Sequence, residues 1–284
     1  MSTGAQKLLA HTLNQLKSLT FFIEHRTEPS HFSRKSPLNF QTLALLVLNM
    51  IKKSIKVELM DFFHQLDTTA IAPSRQAFAQ ARDKISFRAF QDFFEKSCEI
   101  ALTADDAKLH KGYRLFAVDG TSFVVGPLEK LKEHFGESTT TAGKAMCRIS
   151  AVVDVLDACI ADAAVAPFAS GERKLAIQQV EKLKSVKHAL FLFDRGYWSP
   201  DLIEAMIEND QRFLMRIASN SADAARTYGD SCLRMYSFML SSGKKEILAT
   251  NIPVEEMADE ELAALYAMRW SAETKFLELI LIPG

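Results

Sequence analysis

Two patterns of apolar residues divide the chain near residue 105. Before that point apolar residues such as Leu9 and Leu13 recur at intervals of three or four, which predicts an amphipathic helix. The segment EPSHFSRKSPLNF (28–40) has two prolines and three serines and is predicted to be a loop. Ser74 and Ser86 are the expected N-caps of two later helices. The helices expected after the first are at 39–53, 57–67, 75–85 and 87–102.

After residue 105 the apolar residues gather in short runs, which is typical of buried strands. The first run, YRLFAVDG (113–120), predicts a strand that closes at its Asp-Gly. Residues 146–166 are rich in Val, Ile and Ala and contain a turn near Leu156-Asp157, which predicts a hairpin. The elements expected next are a helix at 171–184, a strand at 188–196, a helix that opens at Ser199-Pro200, and a strand at 211–218.

The order of these elements favours one fold class. Three consecutive antiparallel strands followed by alternating helices and parallel strands form the mixed α/β sheet of ribonuclease-H-like proteins. Further strands, including EILATNI (246–252), are expected in a small β-rich segment at 219–256 before a last helix at 259–281. We therefore expect a helical N-terminal region at 1–105 and a ribonuclease-H-like domain at 106–284.

Composition narrows the class of protein. The chain has 284 residues, 48% of them hydrophobic, which is enough for one large domain or two modest ones. No apolar stretch reaches the roughly 20 residues of a membrane helix, and the first residues do not resemble a signal peptide. The four cysteines form no C-x-x-C pair, so neither a zinc site nor a disulfide framework is indicated. A cytoplasmic, nucleoid-associated protein is expected.

The charge is unevenly distributed along the chain. Residues 1–60 carry eight Lys and Arg against three Glu, and such a basic region is compatible with nucleic acid binding. The helices at 57–67 and 75–85 could form a helix-turn-helix-like unit in which Arg75 and Arg82 contact DNA. The alternative is a helical hairpin that only packs within the protein.

Three acidic residues stand in settings that suggest chemistry. Asp119 and Asp194 each end a short apolar run, and Glu273 lies on the predicted last helix. Carboxylates at the C-terminal ends of strands lie where open α/β sheets place their sites. Hard oxygen ligands suit Mg²⁺ or Mn²⁺, and two such ions roughly 3.5–4 Å apart can promote phosphodiester chemistry. Each setting alone is more typical of a structural role.

The last helix carries a second pattern. Tyr266, Arg269 and Glu273 are offset by three and four residues, so they share one helix face. The planar guanidinium of Arg269 could donate paired hydrogen bonds to phosphate oxygens, and the Tyr266 hydroxyl could donate a hydrogen bond to a phosphate. Further candidate contacts to DNA are Arg195 and Trp198, and both Trp198 and Trp270 could stack on an unpaired base.

In combination, these motifs resemble the DDE transposases of the bacterial insertion-sequence-four group. The matching pieces are DGTSF at 119–123, GERKLA with Glu172, FDRGYW at 193–198 and Y-x-x-R-W-x-x-E at 266–273. The resemblance extends to the N-terminal region and so covers nearly the whole chain.

The resemblance implies a transposase that cleaves and joins DNA at the ends of an insertion sequence. It places Asp119, Asp194 and Glu273 on the metal-binding triad of the family, with Mg²⁺ or Mn²⁺ as cofactor and two ions expected. Tyr266 and Arg269 fall on its Tyr-Arg-Glu-Lys signature. The implied partners are terminal inverted repeats, target DNA and further copies of the chain in a synaptic complex, with no membrane.

One position departs from the family pattern. The signature has lysine seven residues after Glu273, where this chain has Ile280, and the chain ends shortly afterwards as LILIPG. Lys275 cannot substitute because an offset of two residues points to another side of a helix. The sequence therefore predicts a C-terminally shortened transposase with impaired activity.

Two other functions remain open at this point. The same triad would serve a metal-dependent nuclease that performs no strand transfer. A shortened chain could also bind element ends without cleaving them and inhibit the full enzyme. A glycosidase with paired carboxylates is less favoured, because it would not explain the Tyr-Arg-Glu helix face or the basic N-terminal region.

Overall fold

The computed structural model describes residues 4–50, 53–67, 71–138, 143–219, 228, 233–240 and 242–280; for residues 4, 5 and 271–280 it describes the backbone only. The chain divides into two compact units. The first comprises Met1–Ala104 with Glu278–Gly284, and the second is Asp105–Leu277.

The first unit is built from six helices around an aromatic core. Phe21, Phe40, Phe78 and Phe93 are buried at its centre together with aliphatic side chains. Ser74 caps the fifth helix as predicted, since its Oγ accepts a hydrogen bond from the amide of Ala77 at 3.1 Å. The helices are α1 Gly4–Lys17, α2 Leu19–His25, α3 Phe40–Leu48, α4 Ile55–Leu66, α5 Arg75–Arg82 and α6 Arg88–Leu102.

Three of these helices end earlier than predicted. The first predicted helix is divided at Ser18, whose Oγ accepts a hydrogen bond from the Phe21 amide at 3.3 Å and so starts α2. Helix α3 stops at Asn49, whose side-chain amide donates to the Leu45 carbonyl at 2.7 Å. After α5 the backbone becomes extended and Ile85 pairs with Arg26, so Lys84 lies outside the helix.

The second unit contains one seven-stranded mixed sheet in the order β3-β2-β1-β4-β5-β7-β6. Strands β1, β2 and β3 are antiparallel, and β4 and β5 continue parallel to β1. This arrangement confirms the predicted ribonuclease-H-like mixed sheet. The strands are β1 Arg114–Gly126, β2 Ala145–Asp154, β3 Cys159–Pro167, β4 Ala189–Phe193, β5 Arg212–Ile217, β6 Arg234–Met239 and β7 Lys245–Thr250.

Helices flank this sheet. The helix predicted after Ser199-Pro200 is confirmed, and the Ser199 Oγ accepts a hydrogen bond from the Leu202 amide at 3.4 Å. A short helix between β1 and β2 was not predicted. All five residues of β4, ALFLF, are buried, which explains their continuous apolar run. The helices are α7 Glu129–Phe135, α8 Glu172–Lys182, α9 Pro200–Glu208 and α10 Asp259–Ile280.

The β-rich segment predicted at 219–256 adds to the main sheet. Strand β7 pairs antiparallel with β5, and β6 pairs antiparallel with β7. The described strands of this segment therefore extend the sheet at one edge. No helix in the described part of the chain is long and apolar enough to cross a membrane.

Candidate active site

Asp119 and Asp194 are brought together by the parallel pairing of β1 with β4. The last residues of β1 and β4 that pair with each other are Val118 and Phe193. Each aspartate is the next residue along the chain after this last pair. The expectation that β1 closes at Asp119-Gly120 is wrong, because the strand continues to Gly126 with β2 as its partner. Asp119 therefore lies within the long strand β1, at the level where the neighbouring parallel strand β4 ends. Its Oδ1 accepts a hydrogen bond from the Gly120 amide at 2.9 Å.

Position 120 requires glycine because two side chains approach the backbone there too closely to leave room for a β-carbon. A β-carbon at this position would lie 3.2 Å from Cγ of Glu172 and 3.3 Å from the hydroxyl oxygen of Tyr197. Both distances are shorter than most β-carbon contacts in proteins. The Asp-Gly pair therefore lets Glu172 and Tyr197 reach the backbone beside Asp119.

Replacing Gly120 with alanine should reduce by roughly tenfold the DNA cleavage that the sequence motifs predict, because small displacements of active-site groups are costly in rate. The added methyl group must push Glu172 and Tyr197 aside by a few tenths of an ångström. The matched control is Gly171→Ala, since a β-carbon there meets no atom within 4 Å. Cleavage rates and thermal unfolding of both variants would be measured. Equal cleavage by the two variants would count against this role of Gly120.

Asp194 lies at the centre of a cluster of cationic and polar groups. Its Oδ1 is 3.3 Å from the Tyr266 hydroxyl, which donates a hydrogen bond to it. The same oxygen is 3.3 Å from Nη2 of Arg216 and 3.9 Å from Nη2 of Arg269. Arg216 also approaches Glu246 at 3.5 Å. Two arginines thus compensate the charge of Asp194, whose side chain keeps 38% of its surface exposed.

Two tyrosines of the site remain protonated. Burial raises the pKa of Tyr266 to about 12, with the negative charge of Asp194 adding to the effect and Arg269 opposing it. Burial also raises the pKa of Tyr197 well above its usual range, and the carboxylates of Asp119, Glu172 and Asp194 raise it further. Both hydroxyls are therefore available as hydrogen-bond donors at neutral pH.

The other candidate residues differ in exposure. Tyr266 and Arg269 are 5% and 2% exposed, and their contacts with Asp194 were not anticipated. Arg195 and Trp270 are exposed, as a contact with DNA requires. Trp198 is half-buried and its ring meets that of Tyr228 edge-on at 6.5 Å. Direct contact of these residues with DNA remains a prediction.

The third acidic residue of the predicted triad is on helix α10. The backbone of α10 continues through Glu273 to Ile280, and the side chains of both residues lie outside the described part of the structure. Helix α10 reaches Asp194 through Tyr266, two turns before Glu273, and through Arg269, one turn before it.

The residues fit a divalent ion in their chemistry. Asp119 and Asp194 supply hard oxygen ligands from adjoining strands, as Mg²⁺ and Mn²⁺ prefer. Among the side chains that the structure describes, no three of His, Cys, Asp or Glu lie close enough together to hold a metal by themselves. The described carboxylates therefore need a further ligand, such as Glu273 or water.

Several residues of the site were missed by sequence reasoning. Arg216 lies on β5 and Arg148 on β2, and neither belongs to a recognisable motif. Only the sheet order places them near the aspartates. Glu172 and Tyr197 lie within the GERKLA and FDRGYW motifs, although the sequence pattern suggests no role for either residue.

The two arginines proposed to contact DNA belong to the helical unit. Arg75 and Arg82 are both exposed on α5, seven residues apart, so they share one side of that helix. Lys84 and Arg34 line a nearby groove of about 660 Å³ together with Gln80. This surface of the helical unit therefore carries basic side chains beside a groove of mixed polar and apolar lining.

Comparisons with known proteins agree with the fold of the second unit. Among solved structures, the chain is similar to the piggyBac transposase in the cryo-EM structure of its synaptic complex with hairpin DNA, with a TM-score of 0.52 and 10% sequence identity. The similarity covers 95% of this chain and 63% of the piggyBac chain, so this chain spans less than two thirds of that protein. At this identity the likeness shows the fold alone. No curated protein matches the chain.

A family model gives a more specific result. Residues 110–279 match the model described as the Transposase DDE domain. The match takes in both Asp119 and Asp194 and nearly all of helix α10. Because it covers more than half of the chain, the protein belongs to the Transposase DDE domain family.

Proposed function

We propose that the chain is a DNA transposase of the insertion-sequence-four group that performs metal-dependent cleavage and strand transfer at element ends. The observation that carries the proposal is the placement of Asp119 and Asp194 at the junction of β1 and β4, with α10 anchored on Asp194. Family membership supports the reaction class.

In this proposal Asp119, Asp194 and Glu273 hold one or two divalent ions. Such ions activate the attacking water or 3′-hydroxyl and stabilise the leaving oxygen when bound. The Tyr266 hydroxyl and the guanidinium of Arg216 orient the Asp194 carboxylate. Arg269, buried against the same oxygen, gives the site positive charge that favours an approaching phosphate.

The proposal is tested with purified protein, Mg²⁺ or Mn²⁺ and DNA that carries the element's terminal repeats. Cleavage at the repeat ends and joining to a target plasmid are expected, and EDTA should stop both. If the folded protein, with its active site unaltered, binds the ends but yields neither product, the catalytic proposal is contradicted. Cleavage without joined products would instead support a nuclease.

One observation favours a second candidate function. Ile280 stands where the Tyr-Arg-Glu-Lys signature has lysine, so a phosphate contact of the family is missing from α10. A chain with this defect could bind element ends without cleaving them and so inhibit an intact transposase. Dose-dependent inhibition of an intact enzyme by this chain, in the absence of cleavage, would support that function.

Recognition of the element ends is assigned to the helical unit. Substituting Arg75 and Arg82 by glutamine should weaken end binding and reduce the slope of log affinity against log salt by about 0.9 per lost phosphate contact. Both side chains are exposed on α5, so the fold should be unaffected.

The measurement is fluorescence anisotropy of labelled end DNA at several salt concentrations. Arg88→Gln is a control, because Arg88 is an exposed arginine of α6 in the same unit. If the double variant binds with the affinity and salt slope of the wild type, DNA contacts lie elsewhere. Assembly into a synaptic complex is proposed to require self-association of the chain, which sedimentation of the DNA-bound protein would reveal.

A further inference from the structure

The hydroxyl of Tyr197 is a buried group of the site whose role the triad does not explain. Tyr197 is 3% exposed, and its hydroxyl has no hydrogen-bond partner among the described residues. A buried unpaired hydroxyl costs about 1–3 kcal/mol, so such groups usually bind a water or a ligand. The hydroxyl lies against Gly120, and its pKa is raised by burial and by the nearby carboxylates of Asp119 and Asp194, so it lies beside the acidic site.

Glu172 approaches the same point of β1 as Tyr197. Its Cγ and Cδ also lie against Gly120, and its side chain is 40% exposed. Its carboxylate accepts a hydrogen bond from Arg148 of β2. The next residue, Arg173, donates from Nε to the carbonyl of Gly196 at 2.9 Å. The start of α8 is thus tied both to β2 and to the turn that follows Asp194.

The side chain of Arg148 is held in place by contacts with Phe168. Its guanidinium lies 5.3 Å from the ring centre of Phe168, and Nη2 is 3.4 Å from the Phe168 carbonyl. The Arg148–Glu172 pair is therefore a fixed feature beside the active site. One explanation is that this ion pair serves only to hold α8 on the sheet.

We propose instead that Glu172 and Tyr197 form the outer part of the divalent-ion site, by binding water molecules coordinated to the ion that Asp119 and Asp194 hold. The inference rests on the proposed metal-dependent function. It agrees with the finding that the described carboxylates do not by themselves form a direct three-ligand cluster. It also agrees with the tendency of Mg²⁺ to keep several of its waters.

The two explanations predict opposite effects for Arg148. If the ion pair is only structural, Arg148→Gln and Glu172→Gln remove the same contact and should behave alike. If Glu172 binds ion-coordinated water, Arg148→Gln leaves its carboxylate in place and removes a positive charge from the site. Ion affinity should then be unchanged or higher in Arg148→Gln and lower in Glu172→Gln.

The experiment is a titration of the full chain with Mn²⁺, in which free ion is followed by electron paramagnetic resonance in the absence of DNA. Glu172→Gln and Tyr197→Phe should each weaken binding by about 10–100-fold, the range found for outer-shell partners of metal sites. The controls are Glu181→Gln, an exposed residue of the same helix, and Tyr236→Phe of β6. Circular dichroism and thermal unfolding would establish that every variant is folded.

Four outcomes decide the proposal. Weaker binding in Glu172→Gln and Tyr197→Phe but not in Arg148→Gln supports it. Unchanged affinity in Glu172→Gln and Tyr197→Phe overturns it, and metal-dependent cleavage by the wild type would then still stand. Equal weakening in Glu172→Gln and Arg148→Gln overturns it in favour of the structural ion pair. A wild-type chain that neither binds Mn²⁺ nor cleaves DNA would remove the proposed function and this inference together.

Discussion

Replacing Asp119 with asparagine should reduce metal-dependent strand cleavage by at least about 10³-fold. A metal ion supplies several kcal/mol of transition-state stabilisation, and each 1.36 kcal/mol corresponds to a factor of ten in rate. The substitution keeps the shape of the side chain and its contact with the Gly120 amide while removing the charge that is proposed to bind the ion. The fold and the binding of end DNA should remain intact.

The measurement is single-turnover cleavage of end DNA with Mg²⁺ and, separately, with Mn²⁺. Asp201→Asn is the matched control, because Asp201 is an exposed aspartate at the start of α9 in the same unit. It should cleave at the wild-type rate. Cleavage by Asp119→Asn within a factor of ten of wild type would rule out Asp119 as a metal ligand of the reaction.

Replacing Asp154 with asparagine should lower the free energy of unfolding by about 3–5 kcal/mol, the range found when one partner of a buried ion pair is removed. Asp154 is fully buried, and its Oδ2 lies 2.6 Å from Nε of Arg114. Its Oδ1 accepts hydrogen bonds from the amides of Leu156 and Asp157, which shape the turn between β2 and β3. One substitution therefore disturbs both an ion pair and a turn.

Urea unfolding of the variant would test this prediction, with a fall in Tm of roughly 10 °C as a second readout. The control is Glu129→Gln, which removes an exposed ion pair with Lys132 on α7. Its effect should stay within about 0.5 kcal/mol, as is usual for surface pairs. A loss below about 1 kcal/mol in Asp154→Asn would mean that the buried pair contributes little to stability.

Local signals in the sequence were sufficient for most of the fold. The alternation of short apolar runs with helical segments predicted the hairpin, the strand 188–196 and the helix after Ser199-Pro200, which the structure confirms. These signals are local because strand burial, serine capping and proline placement depend on neighbouring residues. The predicted ends of elements were less accurate where a side chain hydrogen-bonds to a backbone carbonyl, as Asn49 does at the end of α3.

The role of Gly120 shows where local reasoning failed. An Asp-Gly pair after an apolar run is typical of a turn, and a strand end was accordingly predicted. The strand continues because β2 supplies a partner for residues 119–126. The glycine is needed for the approach of Glu172 and Tyr197, which come from distant parts of the sequence.

Sequence patterns were sufficient to predict most of the elements, the family resemblance and the two aspartates that follow apolar runs. Tertiary structure decided the surroundings of those aspartates. Arg216 reaches Asp194 because β5 lies beside β4, and the Tyr266 hydroxyl reaches it from α10, 72 residues away along the chain. The physical reason is that the charge balance and hydrogen bonding of a carboxylate depend on atoms within a few ångströms in space. Sheet order and helix packing set those distances, and no short stretch of sequence encodes them.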